Sequence, residues 1–215
     1  MSKMDYFLQN TISPDLFNIH NVVGDNACLY RSIANYSLYL ESKNTVPKQT
    51  EDILTEKIQT LIYNFIISNP YKKIPFMGDI SIKDAVPIIH DISFDEYLRY
   101  YKCCAFREMD TTEDFMVDRW GSSLELFVIS EILETTIIVF NTQKWSNRYN
   151  KIVNGKIKKN KPEKDVRLKL SLVLGEVYKN KRPPIYLIWR EYYGDGHYMP
   201  LYPVNGSDVI TDVLS

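Results

Sequence analysis

The sequence predicts an α+β fold, with helices packed around a central, mostly antiparallel sheet. Three observations lead there. Apolar residues recur at helical spacing through the first 133 positions, and short β-branched runs follow one another after them. Helices first and strands later is the order of an α+β domain rather than of alternating βαβ units. No internal repeat and no Gly/Ser linker divides the chain, so residues 1–215 are expected to form a single domain.

The first predicted helix follows Cys28, where Leu29, Ile33, Tyr36 and Leu40 share one face. The second runs from about Glu51 to Ser68. Thr50 is its expected N-cap, Asn69-Pro70 its stop, and Ile53, Leu54, Ile58, Leu61, Ile62 and Phe65 its apolar face. A shorter helix around Ser93–Cys104 opens on SFDE, a capping-box pattern, and another covers roughly Ser122–Leu133 after Trp120-Gly121. Strands are expected at Thr135–Phe140, Val166–Leu174 and Pro184–Trp189. A last strand, His197–Val204, follows a Gly-Asp-Gly turn, and Pro200 and Pro203 in it point to a sheet edge. The polar stretch between Asn141 and Lys169 carries eight Lys/Arg residues from Lys151 onward. It reads as a solvated hairpin or loop, with a basic contact patch as the alternative.

A chain of 215 residues buries enough surface to need no covalent staples. Its 45% hydrophobic and 25% charged residues are ordinary for a soluble protein, and a net charge of −1 provides no field toward nucleic acid or an anionic membrane. Three cysteines, at 28, 103 and 104, do not make a disulfide framework and fit a reducing compartment. The start of the chain lacks the apolar stretch of a signal peptide, and no apolar run is long enough to cross a bilayer. The expectation is a soluble intracellular protein.

The inventory of reactive groups is short. No CxxC, HxxxH, phosphate loop or GxSxG elbow is present, so no cofactor or metal is expected. The three histidines, His20, His90 and His197, are the available imidazole bases. Cys28 follows the tight loop Gly24-Asp25-Asn26-Ala27 and opens a helix. There the positive end of the macrodipole favours thiolate, and loop N–H groups can face a developing oxyanion. An isolated cysteine opening a helix is also a common buried structural residue, and a histidine at a strand start is commonly structural.

VVGDNACLYRSIANY resembles the D-G-N-C-L-[FY]-R-[AS] motif of the ovarian-tumour (OTU) family of cysteine peptidases, with Asp25, Cys28, Leu29, Tyr30, Arg31 and Ser32 matching. Trp120-Gly121, with Glu125, Leu126, Ile129 and Ile132 and the strand IIVF, is similar to the family's W-G-x-x-x-E-L helix and the strand after it. Gly196-His197-Tyr198 followed by Pro200-Leu201 resembles its C-terminal histidine strand. The three blocks stand in the family's order, over about residues 21–202. The resemblance implies a papain-related fold and hydrolysis of the isopeptide bond after the C-terminal glycine of ubiquitin. In that reaction Cys28 is the nucleophile, His197 the general base, and Asp25 shapes the loop beside the oxyanion. Implied partners are ubiquitin, polyubiquitin chains or ubiquitinated proteins, with ubiquitin-like modifiers in second place.

Two departures stand out. Asn26-Ala27 replaces the usual Gly-Asn before the cysteine. Met199 occupies the position where many members carry an Asp or Asn that holds the histidine ring, and a thioether is a weak acceptor. The orienting residue is then sought at Asp195, Asp5, Asp15 or Asn21. Trp120 and Glu125 are expected to be architectural. The acidic stretch Glu108–Asp118 supplies Asp110, Glu113 and Asp114 as candidates to meet the basic tail of ubiquitin. Two other readings stay open: an inactive ubiquitin-binding module, and a papain-like peptidase acting on a ubiquitin-like modifier. Richness in Asn, Lys, Ile and Tyr fits an AT-rich genome and points to a virus or other pathogen acting in host cytosol.

Overall fold

A computed structural model describes residues 11–24, 27–42, 47–106, 121–142, 151–153, 156–158, 168–192 and 195–204. Ten strands and five α-helices are described: β1 (Thr11–Ile12), β2 (Phe17–Ile19), α1 (Cys28–Ser42), α2 (Lys48–Ser68), β3 (Lys73–Ile74), β4 (Ile80–Ser81), α3 (Ile82–His90), α4 (Phe94–Phe106), α5 (Ser123–Leu133), β5 (Ile137–Asn141), β6 (Lys151–Val153), β7 (Lys156–Lys158), β8 (Leu168–Leu174), β9 (Ile185–Tyr192) and β10 (Asp195–Pro203). The main sheet has the order β1-β8-β5-β9-β10-β2-β6-β7. Only β5/β9 and β2/β6 pair in parallel, so the expectation of a mostly antiparallel sheet holds. In the basic stretch, β6 and β7 pair antiparallel as a hairpin.

The strand that carries His197 lies inside the sheet rather than at its edge. β9 pairs with it from Asp195 to Pro200, and β2 pairs with it from Leu201 to Pro203. The prolines misled the sequence reading because they stand where ladders end. Pro200 is the last residue in register with β9, and Pro203 closes the pairing with β2. A proline at a ladder end forfeits no donor that an interior strand needs.

Helix α1 packs on β10 and β9, and its buried face, Leu29, Ile33 and Tyr36, enters the main core with Phe17, Ile62, Leu187 and Leu201. Helix α2 lies on α1 and differs from expectation in both its start and its face. It begins at Lys48 after Pro47, with no side-chain cap at Thr50. Its buried stripe is Glu51, Thr55, Ile58, Gln59, Ile62 and Ile66, while Ile53 and Leu61 are exposed at 62% and 39%. The cause is polar. The Arg31 guanidinium of α1 pairs with Glu51 at 3.1 Å and with Asp52, and the Asn35 amide donates to Glu51. Turning Glu51 inward to satisfy these groups leaves Ile53 and Leu61 toward solvent, while Ile58 and Ile62 stay in the core as predicted. Helix α3 holds Pro87 within it and has no counterpart among the helices predicted from sequence. The Ser81 hydroxyl caps it by accepting from the Asp84 N–H at 3.2 Å.

Two capping arrangements frame the other helices. In α4 the Glu96 N–H donates to the Ser93 hydroxyl at 3.2 Å, as SFDE predicts. In α5 the Ser122 hydroxyl accepts from the Leu124 N–H, and Glu125 accepts the Ser122 N–H at 2.6 Å, completing a capping box. Glu125 is buried and also accepts from the Tyr97 hydroxyl of α4. His90 Nε2 stands 3.4 Å from its carboxylate. That length makes the contact one of charge rather than a formed hydrogen bond, and it becomes an ion pair whenever His90 carries its proton.

Burial alone would push the Glu125 carboxyl up. The opposing contributions of His90, Ser122 and Tyr97 outweigh it and hold the pKa at about 2, below the ordinary 4.5. A depressed carboxylate contributes stability that is present above pH 4.5 and is lost as the pH falls toward 2. We therefore expect Glu125→Gln to cost about 2–4 kcal/mol at neutral pH. Its stability should also change less between pH 4.5 and 2 than that of the native protein. Urea unfolding at a series of pH values checks this, and parallel native and mutant acid profiles would count against it.

Candidate active site

Cys28 is the first residue of α1 and is 6% exposed. The helix is closed behind it by the Arg31 N–H, which donates to the Ala27 carbonyl at 2.9 Å. Its sulfur therefore sits at the positive end of a 15-residue dipole. The backbone N–H of Tyr198, the residue after His197, donates to Cys28 Sγ at 3.4 Å. Helix dipole and N–H donation both favour sulfur as thiolate over thiol.

β10 thus brings the backbone of Tyr198, the residue after His197, to the nucleophile candidate. The loop before Cys28 meets the His197 ring. A Cβ built on Gly24 would lie 3.8 Å from His197 Cε1 and 3.9 Å from Nδ1, so the Gly24 backbone runs along that edge of the imidazole. The strand residue next to His197 thus meets Cys28 Sγ, and the His197 ring lies against Gly24 of the loop before Cys28. Asp25, Trp120, Asp110, Glu113 and Asp114 lie outside the described residues.

Tyr198 adds a neutral wall. Burial first, then the charges of Glu125 and Cys28, push its phenol well above the ordinary 10.0. It therefore stays protonated at any physiological pH and places no negative charge beside the sulfur. Behind Cys28, the Tyr101 hydroxyl of α4 donates to the Tyr30 hydroxyl at 3.0 Å with the rings edge to face, tying α1 to α4. On the other side of His197, a Cβ on Gly196 would fall 2.4 Å from Trp189 Nε1, so the indole lies directly over that glycine.

The sheet register sorts the candidates for orienting His197. Phe17 pairs with Pro203 and Ile19 with Leu201, so β2 runs toward the histidine as its numbering rises. Asp15 lies beyond the Pro203 end, at least six strand residues from His197, or roughly 20 Å at about 3.4 Å per residue. Its carboxylate accepts instead from the Ser13 hydroxyl. That distance removes Asp15 as an orienting residue. Asn21 follows His20, whose N–H donates to the Pro200 carbonyl at 3.2 Å, and is exposed. Asp195 opens β10 opposite Tyr192 with its side chain outside the described residues, and Asp5 lies outside them entirely. Met199 is buried in the core.

The other two histidines have structural surroundings. His20 packs against Tyr202, with ring centroids 6.3 Å apart, and His90 faces Glu125 and the Tyr97 ring. Sequence reasoning missed the Tyr198 N–H and the Gly24 contact, since a backbone donor has no residue-type signature. The adjacency of Gly196, His197 and Tyr198 was the only hint. Among the described residues, no group of three His, Cys, Asp or Glu side chains is placed to hold a metal, and no helix is long and apolar enough to cross a membrane.

Residues 23–198 match the family model for OTU-like cysteine proteases. Among solved structures, the chain is similar to the viral OTU domain protease from Taggert virus, at 14% identity and a TM-score of 0.51, over 92% of this chain and 87% of that one. It is also similar to the Hazara virus OTU bound to ubiquitin, at 15% identity and a TM-score of 0.51, over 91% of this chain and 87% of the other. No curated protein matches it at the sequence level. The fold is that of these proteases, and the matched span runs from the loop before Cys28 to the residue whose N–H meets its sulfur.

Proposed function

The chain belongs to the OTU-like cysteine protease family, and we propose that it is a thiol-dependent deubiquitinase that hydrolyses isopeptide bonds after the C-terminal glycine of ubiquitin. The observation that carries this reading is the contact between the start of α1 and the histidine strand. Cys28 Sγ at the start of α1 accepts from the N–H beside His197, and the Gly24 loop lies along the His197 ring. A structural neighbour of the same fold was solved bound to ubiquitin, which supports ubiquitin, polyubiquitin chains or ubiquitinated proteins as partners.

In this reading Cys28 Sγ attacks the glycine carbonyl carbon while His197 takes the thiol proton. The negative oxygen of the tetrahedral adduct faces the Cys28 N–H and the loop that Asp25 shapes. His197 returns the proton to the departing lysine amine, leaving a thioester on Cys28. Water then attacks the thioester with His197 as base, freeing the ubiquitin carboxylate and the thiol. Nothing in these steps calls on a cofactor. The motif-bearing region, about residues 21–202, is proposed to act as one domain.

The deciding experiment is a ubiquitin probe with an electrophile at its C-terminus. We expect a stable adduct on Cys28, absent in Cys28→Ala and mapped by peptide mass, together with cleavage of at least one di-ubiquitin linkage. A native protein that binds ubiquitin but forms no adduct would instead be an inactive binding module. Labelling only by a ubiquitin-like modifier would move the substrate while keeping the chemistry.

A further inference from the structure

We propose that Gly121 is a positioning residue that sets the place of Cys28 against β10, an inference that rests on Cys28 being the nucleophile. The segment just before α5 lies so close to α1 that no side chain fits between them. A Cβ on Gly121 would fall 2.1 Å from Leu29 Cδ2, 2.9 Å from Cγ and 2.8 Å from Cβ. Leu29 is the residue after Cys28 and is fully buried.

Neither side can give cheaply. Rotating the tip of Leu29 relieves the Cδ2 contact but not the one at its Cβ, which moves only with the backbone of α1. Gly121 precedes the Ser122 cap, whose N–H is held by Glu125, and Glu125 is itself held by Tyr97. A methyl at position 121 therefore has to push the first turn of α1, where Cys28 sits. That first turn also sets the 3.4 Å contact from the Tyr198 N–H to Sγ. Misplacing reacting groups by about 1 Å can cost about 10²-fold in rate.

The test is the rate at which iodoacetamide alkylates Cys28, followed by peptide mass at a temperature well below melting, so that only folded protein is read. Gly121→Ala is expected to react at least about tenfold more slowly than native protein, with a matching fall in kcat and little change in KM for a ubiquitin substrate. Gly175→Ala is the control. It strains a glycine at φ +66° and crowds Ser130 Oγ at 2.5 Å at the other end of α5, so it should lower Tm yet alkylate at the native rate. If Gly121→Ala does not fold, the double variant with Leu29→Ala, which keeps only the Cβ contact, is compared with Leu29→Ala alone and should still react more slowly. Equal rates in whichever comparison is made would overturn the positioning role. A native Cys28 that reacts no faster than a free thiol would overturn the nucleophile assignment, and the inference with it.

Discussion

Replacing Cys28 with Ala is expected to yield a folded protein that binds ubiquitin and cleaves nothing. The covalent route needs a sulfur at the start of α1, and no other side chain among the described residues shares its contacts with the Tyr198 N–H. The structural cost is small. Ala keeps the buried Cβ and loses the sulfur with its long N–H contact from Tyr198, so destabilisation should be about 1 kcal/mol. That combination separates a nucleophile from a buried structural cysteine, which would lose stability on substitution and leave turnover per folded molecule unchanged. Di-ubiquitin cleavage, melting temperature and ubiquitin affinity, measured side by side for native and Cys28→Ala protein, decide between the two. Retained cleavage by a well-folded variant would sink the assignment.

The sequence marks Cys28 and His197 as candidates, and the reason is specific to motif chemistry. A cysteine at a helix start, a glycine before a strand histidine and the W-G-x-x-x-E-L block each mark a backbone arrangement that few residue types allow. Glu125 looked architectural by pattern, and the fold shows why: one carboxylate caps α5, receives the Tyr97 hydroxyl and faces His90. What failed to read were features set by distant partners. The inward turn of Glu51 answers Arg31, twenty residues earlier, and no local period could announce it. The interior position of β10 depends on β2 reaching it from the start of the chain, while its two prolines argued the opposite. The two upstream candidates Asp15 and Asn21 look alike in sequence, while the sheet register sets Asp15 past Pro203 and Asn21 one residue beyond the His20 contact with Pro200.

His197→Gln is expected to lower kcat/KM by at least about 10²-fold with little loss of stability. The ring is half-buried at the site and the amide occupies similar space. In the proposed mechanism the same group serves both halves of the reaction, taking the thiol proton and later activating water, so no compensating step spares it. Combined with Cys28→Ala it should be scarcely worse than Cys28→Ala alone, because the two act as a unit. The rival bases make the test discriminating. His20 is held against Tyr202, and burial lowers its pKa, with Glu51 opposing, so His20→Ala removes packing rather than a proton carrier. His90→Ala strips one partner from Glu125 while the Ser122 and Tyr97 contacts remain. Both variants should melt earlier yet turn over at near-native rates once corrected for the folded fraction. If either instead matched the loss of His197→Gln at an unchanged melting temperature, the proton carrier would be that histidine.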